Sequence, residues 1–171
     1  MNSIDVQGQL SSTRLFRGAT LIREGGTGIW QQRCFRAYRE FTANTVIKFV
    51  AAKPFLLTSQ RLWTGQGAAR LVVSTGGTEG GTFTALATKF CTNTKDGAAA
   101  GTTTVTTGGT VTIGVEREVL RADSGTAGGG SGNADLLSGQ RVLAAGTYYM
   151  SVTITGTTSG TYALEWEELD S

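Results

Sequence analysis

Gly146-Thr147-Tyr148-Tyr149-Met150-Ser151-Val152-Thr153-Ile154-Thr155 and, after the five residues 156–160, Thr161-Tyr162-Ala163-Leu164-Glu165-Trp166-Glu167-Glu168-Leu169 both alternate. In the first, Tyr148, Met150, Val152 and Ile154 share one face while Tyr149, Ser151, Thr153 and Thr155 share the other. In the second, Tyr162, Leu164 and Trp166 oppose Ala163, Glu165 and Glu167. A period of two is that of a half-buried strand. Gly156-Thr157-Thr158-Ser159-Gly160 between them suggests a hairpin loop. A lone hairpin is marginal in water, so its aromatic face demands a second layer.

Composition carries this expectation outward. A chain of 171 residues fits one domain with a real core. Its 25 Gly, single Pro and visible excess of Thr disfavour long helices and favour short strands joined by glycine turns. The net charge of +2 gives no strong bulk attraction to nucleic acid or to an anionic membrane, so neither is expected as a partner. The charge is unevenly placed. Residues 1–53 hold eight basic side chains against three acidic ones, and residues 111–171 hold eight acidic against three basic. The two segments either neutralise each other locally within one domain or form complementary faces between subunits. No apolar run resembles a secretory signal or a transmembrane span. Cys34 and Cys91 are too few for a disulfide framework and have no metal-ligand spacing, so free thiols in a reducing compartment are expected.

Taken in order, residues 1–28 are polar and glycine-punctuated, with one cluster, Arg14-Leu15-Phe16-Arg17, able to anchor them; they are expected to form an extended N-terminal arm. A domain over residues 29–171 follows. Between residues 29 and 41 helix and strand templates compete, and Trp30, Phe35, Tyr38 and Phe41 favour a strand. Residues 45–51 and 55–63 suggest two more strands, separated by Pro54, and residues 68–74 a short third. Gly-Gly-Thr recurs at 25–27, 76–78, 80–82 and 108–110 at irregular intervals, which marks turns and not a solenoid repeat. Phe83, Leu86, Phe90 and Cys91 are expected to tuck this excursion onto the core. Residues 102–113 and 115–121 suggest two further strands, 124–132 a long surface loop, and residues near 135–143 a short return. Eight to ten strands result. The fold class expected is all-β, an antiparallel β-sandwich of jelly-roll type.

The absence of His removes the usual general base, the Ser-His and Cys-His nucleophile pairs and most transition-metal sites. The run Gly128-Gly129-Gly130-Ser131-Gly132 lacks the Gly-Lys-Ser/Thr ending of a phosphate loop. Glu116 with Glu118 and Glu165 with Glu167 are spaced to share a strand face, the geometry a glycosidase pair needs, but solvent or a subunit contact explains such a face more simply. Asp123 and Asp135 belong to no calcium ladder. No catalytic, metal or cofactor-binding residue is assigned, no cofactor is expected, and the chain is not expected to be an enzyme. Two classes remain. Trp30, Trp63 and Tyr149 would make a sugar-binding platform if exposed; alternatively the chain is a structural assembly protein that covers a surface or joins subunits.

The segment from Arg61-Leu62-Trp63-Thr64-Gly65-Gln66-Gly67 through Arg70-Leu71-Val72-Val73-Ser74-Thr75-Gly76-Gly77-Thr78-Glu79-Gly80-Gly81-Thr82-Phe83, with the tail from Ala145-Gly146-Thr147-Tyr148-Tyr149 to Glu165-Trp166-Glu167-Glu168-Leu169, resembles small virion structural proteins of tailed bacteriophages, of the capsid decoration, cement or head-fibre type. The resemblance covers roughly residues 30–169. It implies a β-sandwich that decorates or cements the capsid shell, located in the virion and assembled in the host cytoplasm. Its partners would be the major capsid protein or another virion protein, and further copies of itself, a trimer among the orders allowed. A tail fibre or spike head that binds a host surface glycan is the competing place. The residues expected to contact a partner are Arg14, Phe16, Arg17, Arg33, Arg36, Arg39, Glu165 and Glu167.

Overall fold

A computed structural model describes residues 31–65, 67–92, 100–123, 132–135, 141–156 and 159–169. Among these residues the regular structure is all strand: β1 (Cys34–Phe41), β2 (Thr45–Ala51), β3 (Phe55–Thr64), β4 (Ala68–Gly80), β5 (Thr84–Ala85), β6 (Lys89–Cys91), β7 (Thr104–Thr107), β8 (Thr110–Asp123), β9 (Gly132–Asp135), β10 (Arg141–Leu143), β11 (Gly146–Thr155) and β12 (Gly160–Glu168). They build two antiparallel six-stranded sheets. Sheet A has the order β10-β3-β12-β1-β6, with β9 also paired to β3, and sheet B has the order β5-β7-β2-β11-β4-β8. The expected arm over residues 1–28 and most of the expected loop at 124–132 lie outside the described residues.

The two alternating stretches form the middle of each sheet, and they correct the expected hairpin. β11 pairs with β2 and β4 in sheet B, whereas β12 pairs with β1 and β3 in sheet A, so the two stretches belong to different layers and are not paired with each other. The reason is burial. Paired edge to edge, the two apolar rows would lie side by side on one face; in opposite sheets they face each other and both leave water. Phe49 of sheet B lies 4.9 Å from Phe55 and 5.0 Å from Trp166 of sheet A, and Tyr148 lies 5.5 Å from Phe55, ring centroid to centroid.

The strand preferred over a helix near the start of the domain is present from Cys34, and its inward row Phe35, Ala37 and Phe41 is buried. Residues 45–51 form the expected strand. Two elements are longer than expected. β4 does not stop at Ser74 and β8 runs through Gly114 without a break. Gly76 and Gly77, at φ +68° and +120°, bend β4 without ending it, and a Cβ on Gly114 would stand 2.6 Å from the Gly76 carbonyl carbon. The bent ribbon folds over the outer face of sheet B. A straight strand would carry Glu79 about 17 Å beyond Ser74, yet its carboxylate accepts the Tyr149 hydroxyl at 2.6 Å and pairs with Lys48 at 2.7 Å. Tyr149, opposite Ser74 and Lys48 in register, is therefore covered and only 5% exposed.

Two ladders step by one residue. On β3, Leu57 opposes Trp166 and Ser59 opposes Glu165, leaving Thr58 extra; on β8, Glu118 opposes Val73 and Glu116 opposes Ser74, leaving Arg117 extra. Each bulge inverts the alternation beyond it. On β3 this carries Leu62 into the core and turns Trp63 outward. On β8 it places Glu116 and Glu118 on opposite faces, which corrects the expectation that they share one.

Candidate functional site

The β1–β12 ladder carries four of the residues expected to contact a partner. Register sets Arg36 opposite Glu165 and Cys34 opposite Glu167, with Arg33 just before the strand. Arg36 Nε donates to Glu165 Oε1 at 2.6 Å, and Arg33 Nη2 donates to Glu167 Oε1 at 3.2 Å. Basic N-terminal and acidic C-terminal side chains thus meet within the chain, on the outer face of sheet A. Arg39 is exposed at the other end of β1, opposite Tyr162 in register. Arg14, Phe16 and Arg17 lie outside the described residues.

Apolar side chains accompany these charges. Phe90 on β6 sits opposite Arg36 and is 42% exposed, a correction to its expected place on the core; Leu86 and Cys91 do take that place. Its ring meets Tyr38 edge-on at 6.4 Å. Trp63, turned outward by the Thr58 bulge, is 41% exposed on the same face. Of the three aromatics expected as a platform, Trp63 alone reaches this surface: Tyr149 is covered by the ribbon over sheet B, and Trp30 lies outside the described residues. Periodicity missed the outward place of Phe90 because a three-residue strand gives no readable alternation.

The titratable groups here serve each other. Burial, and next the charge of Glu167, push the Cys34 thiol up to about 11, so it stays protonated at neutral pH and is a poor nucleophile. Cys91 opposes Phe35 in the ladder while Cys34 precedes it, so the two thiols leave opposite faces and are not joined in a disulfide. Glu165 and Glu167 do share a face, each against an arginine; Glu116 pairs with Arg70 at 3.5 Å, and Glu118 pairs with Arg141. Among the described residues no group of three or more His, Cys, Asp or Glu is placed to hold a metal ion, and no helix is long and apolar enough to cross a membrane.

The sheet edges differ. Sheet A ends in β6 on one side and in β9 and β10 on the other, strands of three, four and three residues; sheet B ends in β5, of two residues, and in β8, of 14. Short edge strands are one way that proteins blunt strand pairing with other chains. β8 is the exception, and beside its charged residues it exposes Ile113, Val119 and, at 56%, Val115. Comparison with known proteins finds no matching family model, no matching curated protein and no matching solved structure.

Proposed function

We propose that this chain is a bacteriophage virion structural protein that decorates or cements the capsid shell through subunit contacts. Its partners are the major capsid protein or another virion protein, together with further copies of itself. The observation that carries this reading is β8: a long edge strand beside which Ile113, Val115 and Val119 are exposed fits a surface that joins subunits. The resemblance of residues 30–169 to small virion proteins supplies the setting, a virion assembled in the host cytoplasm. A jelly-roll connection of the strands, with an N-terminal arm reaching the shell, belongs to the same reading. The test is to count the protein in purified virions by quantitative mass spectrometry and to locate it by labelling in electron microscopy. Hundreds of copies over the shell are expected; absence from virions overturns the proposal.

One observation favours a second reading, a tail fibre or spike head that binds a host surface glycan. Trp63, Tyr38 and Phe90 leave one solvent-facing sheet surface beside Arg36 and Glu165, a combination that suits stacking on sugar rings. On this reading few copies cluster at a tail or vertex, and Trp63→Ala abolishes binding of the purified protein to host cells without unfolding it.

A further inference from the structure

Between the layers, where β3 and β10 of sheet A approach β4 of sheet B, lies a cavity of about 330 Å³. Phe55, Leu57, Val73 and Met150 give it an apolar wall. Gln60, Thr75, Arg117, Glu118 and Arg141 interrupt that wall with polar groups, and two of them, Gln60 and Arg117, owe their position to the two register shifts. Were β3 to alternate strictly through Thr58, Gln60 would point away from Leu57 and out of the sandwich; with the bulge, Gln60 lines the cavity, 1% exposed. The other is Arg117, the extra residue of β8, whose Nε donates to Thr75 Oγ1 at 2.9 Å. Bulges re-aim side chains, and here two independent ones aim at one space.

Gln60 is the more informative. Its Oε1 is buried without a hydrogen-bond partner among the described residues. A buried amide oxygen left unpaired opposes folding, whereas a leucine of similar size would suit the same wall without that penalty. An acceptor held in an apolar cavity is instead what a ligand with one donor requires. The volume of about 330 Å³ is roughly twice that of an apolar cavity able to take benzene, enough for a substituted ring. We propose that this cavity binds a small, mainly apolar molecule, an aromatic ring or branched chain, bearing one hydroxyl group that hydrogen-bonds to Gln60. Arg117 and the Arg141–Glu118 pair stand beside it as a polar border. The proposal does not depend on the virion reading.

The test titrates 4-ethylphenol and ethylbenzene separately into the full chain, following the Met150 methyl resonance and the heat of binding. 4-Ethylphenol should shift Met150 and bind about tenfold more tightly than ethylbenzene, the difference one buried hydrogen bond makes. Gln60→Leu should bring the two affinities together, and Leu143→Trp, at the short edge strand β10, should fill the space and remove both. If neither compound shifts Met150, or if 4-ethylphenol binds no better than ethylbenzene, the proposal fails. The wild-type comparison decides the matter even where a variant does not fold.

Discussion

Glu168 is the buried charge among the described residues, at 7% exposure, and its surroundings show how one side chain joins distant parts of the chain. Its carboxylate accepts the backbone N–H groups of Thr102 at 2.9 Å and Thr103 at 2.8 Å, and the Thr102 hydroxyl at 2.9 Å. Burial works to raise its pKa, but these bonds outweigh burial and hold the carboxyl below its ordinary value. A group whose pKa is depressed on folding adds stability above its unfolded value, near 4.3 for glutamate, and that stability is lost as pH falls through the lower folded value. Glu168→Gln should therefore destabilise the protein by about 2 kcal/mol at pH 7. In urea denaturation repeated at falling pH, the gap between variant and wild type should begin to narrow below about pH 4.3 and close as pH falls through the lower folded value; a gap that stays constant as the carboxyl is protonated would assign the cost to packing. The alternation of Tyr162, Leu164 and Trp166 already puts Glu168 on the inward face, so its burial was legible. Its donors were not, because they lie 65 and 66 residues away in a Gly/Thr-rich stretch without local pattern.

At the scale of elements, alternation was legible within each strand and failed where two strands negotiate their register. Read straight, residues 55–63 put Trp63 on the face of Phe55 and Leu57; the extra Thr58 exists only against Glu165 and Trp166 of β12, so nothing local announces it. The loop at 156–160 misled for a related reason. Five Gly, Ser and Thr residues can close a hairpin or cross between layers, and the choice is made by which apolar faces can cover each other. The Gly-Gly-Thr runs of the β4–β8 ribbon suggest turns, yet Gly76 and Gly77 keep a bent strand intact. Gly77 lies at φ +120°, and a Cβ there would stand 2.4 Å from the Thr112 carbonyl oxygen; Gly76 lies at φ +68° with open space around it. Gly77→Ala should accordingly cost about 3 kcal/mol, from backbone strain and displacement of β8, and Gly76→Ala about 1 kcal/mol from strain alone. Equilibrium denaturation of the two variants checks the order, and equal costs would mean that the ribbon relaxes around Gly77.

For the whole molecule, the core joins residues from both ends of the described chain: β1 pairs with β12, and Phe35 stacks on Trp166. Such a body leaves little room for association through its interior, so contact with other copies must use its faces or its edges. The outer face of sheet A spends Arg33 and Arg36 on Glu167 and Glu165, and the outer face of sheet B is partly covered by its own ribbon. Among the described residues, three of the four edges end in strands of two to four residues. The remaining one, β8, combines length with exposed valine and isoleucine, so self-association is expected there. Val115, already 56% exposed, can be changed to lysine with little effect on the folded monomer, within about 0.5 kcal/mol for a surface site. The charge would be driven against the edge of a second copy. Light scattering after size-exclusion chromatography should then show an oligomer for the wild type and for Trp63→Lys on the far sheet, but a monomer for Val115→Lys. A wild type that stays monomeric at high concentration, or a Val115→Lys protein of unchanged mass, would remove β8 as the contact and return the search to the outer face of sheet A.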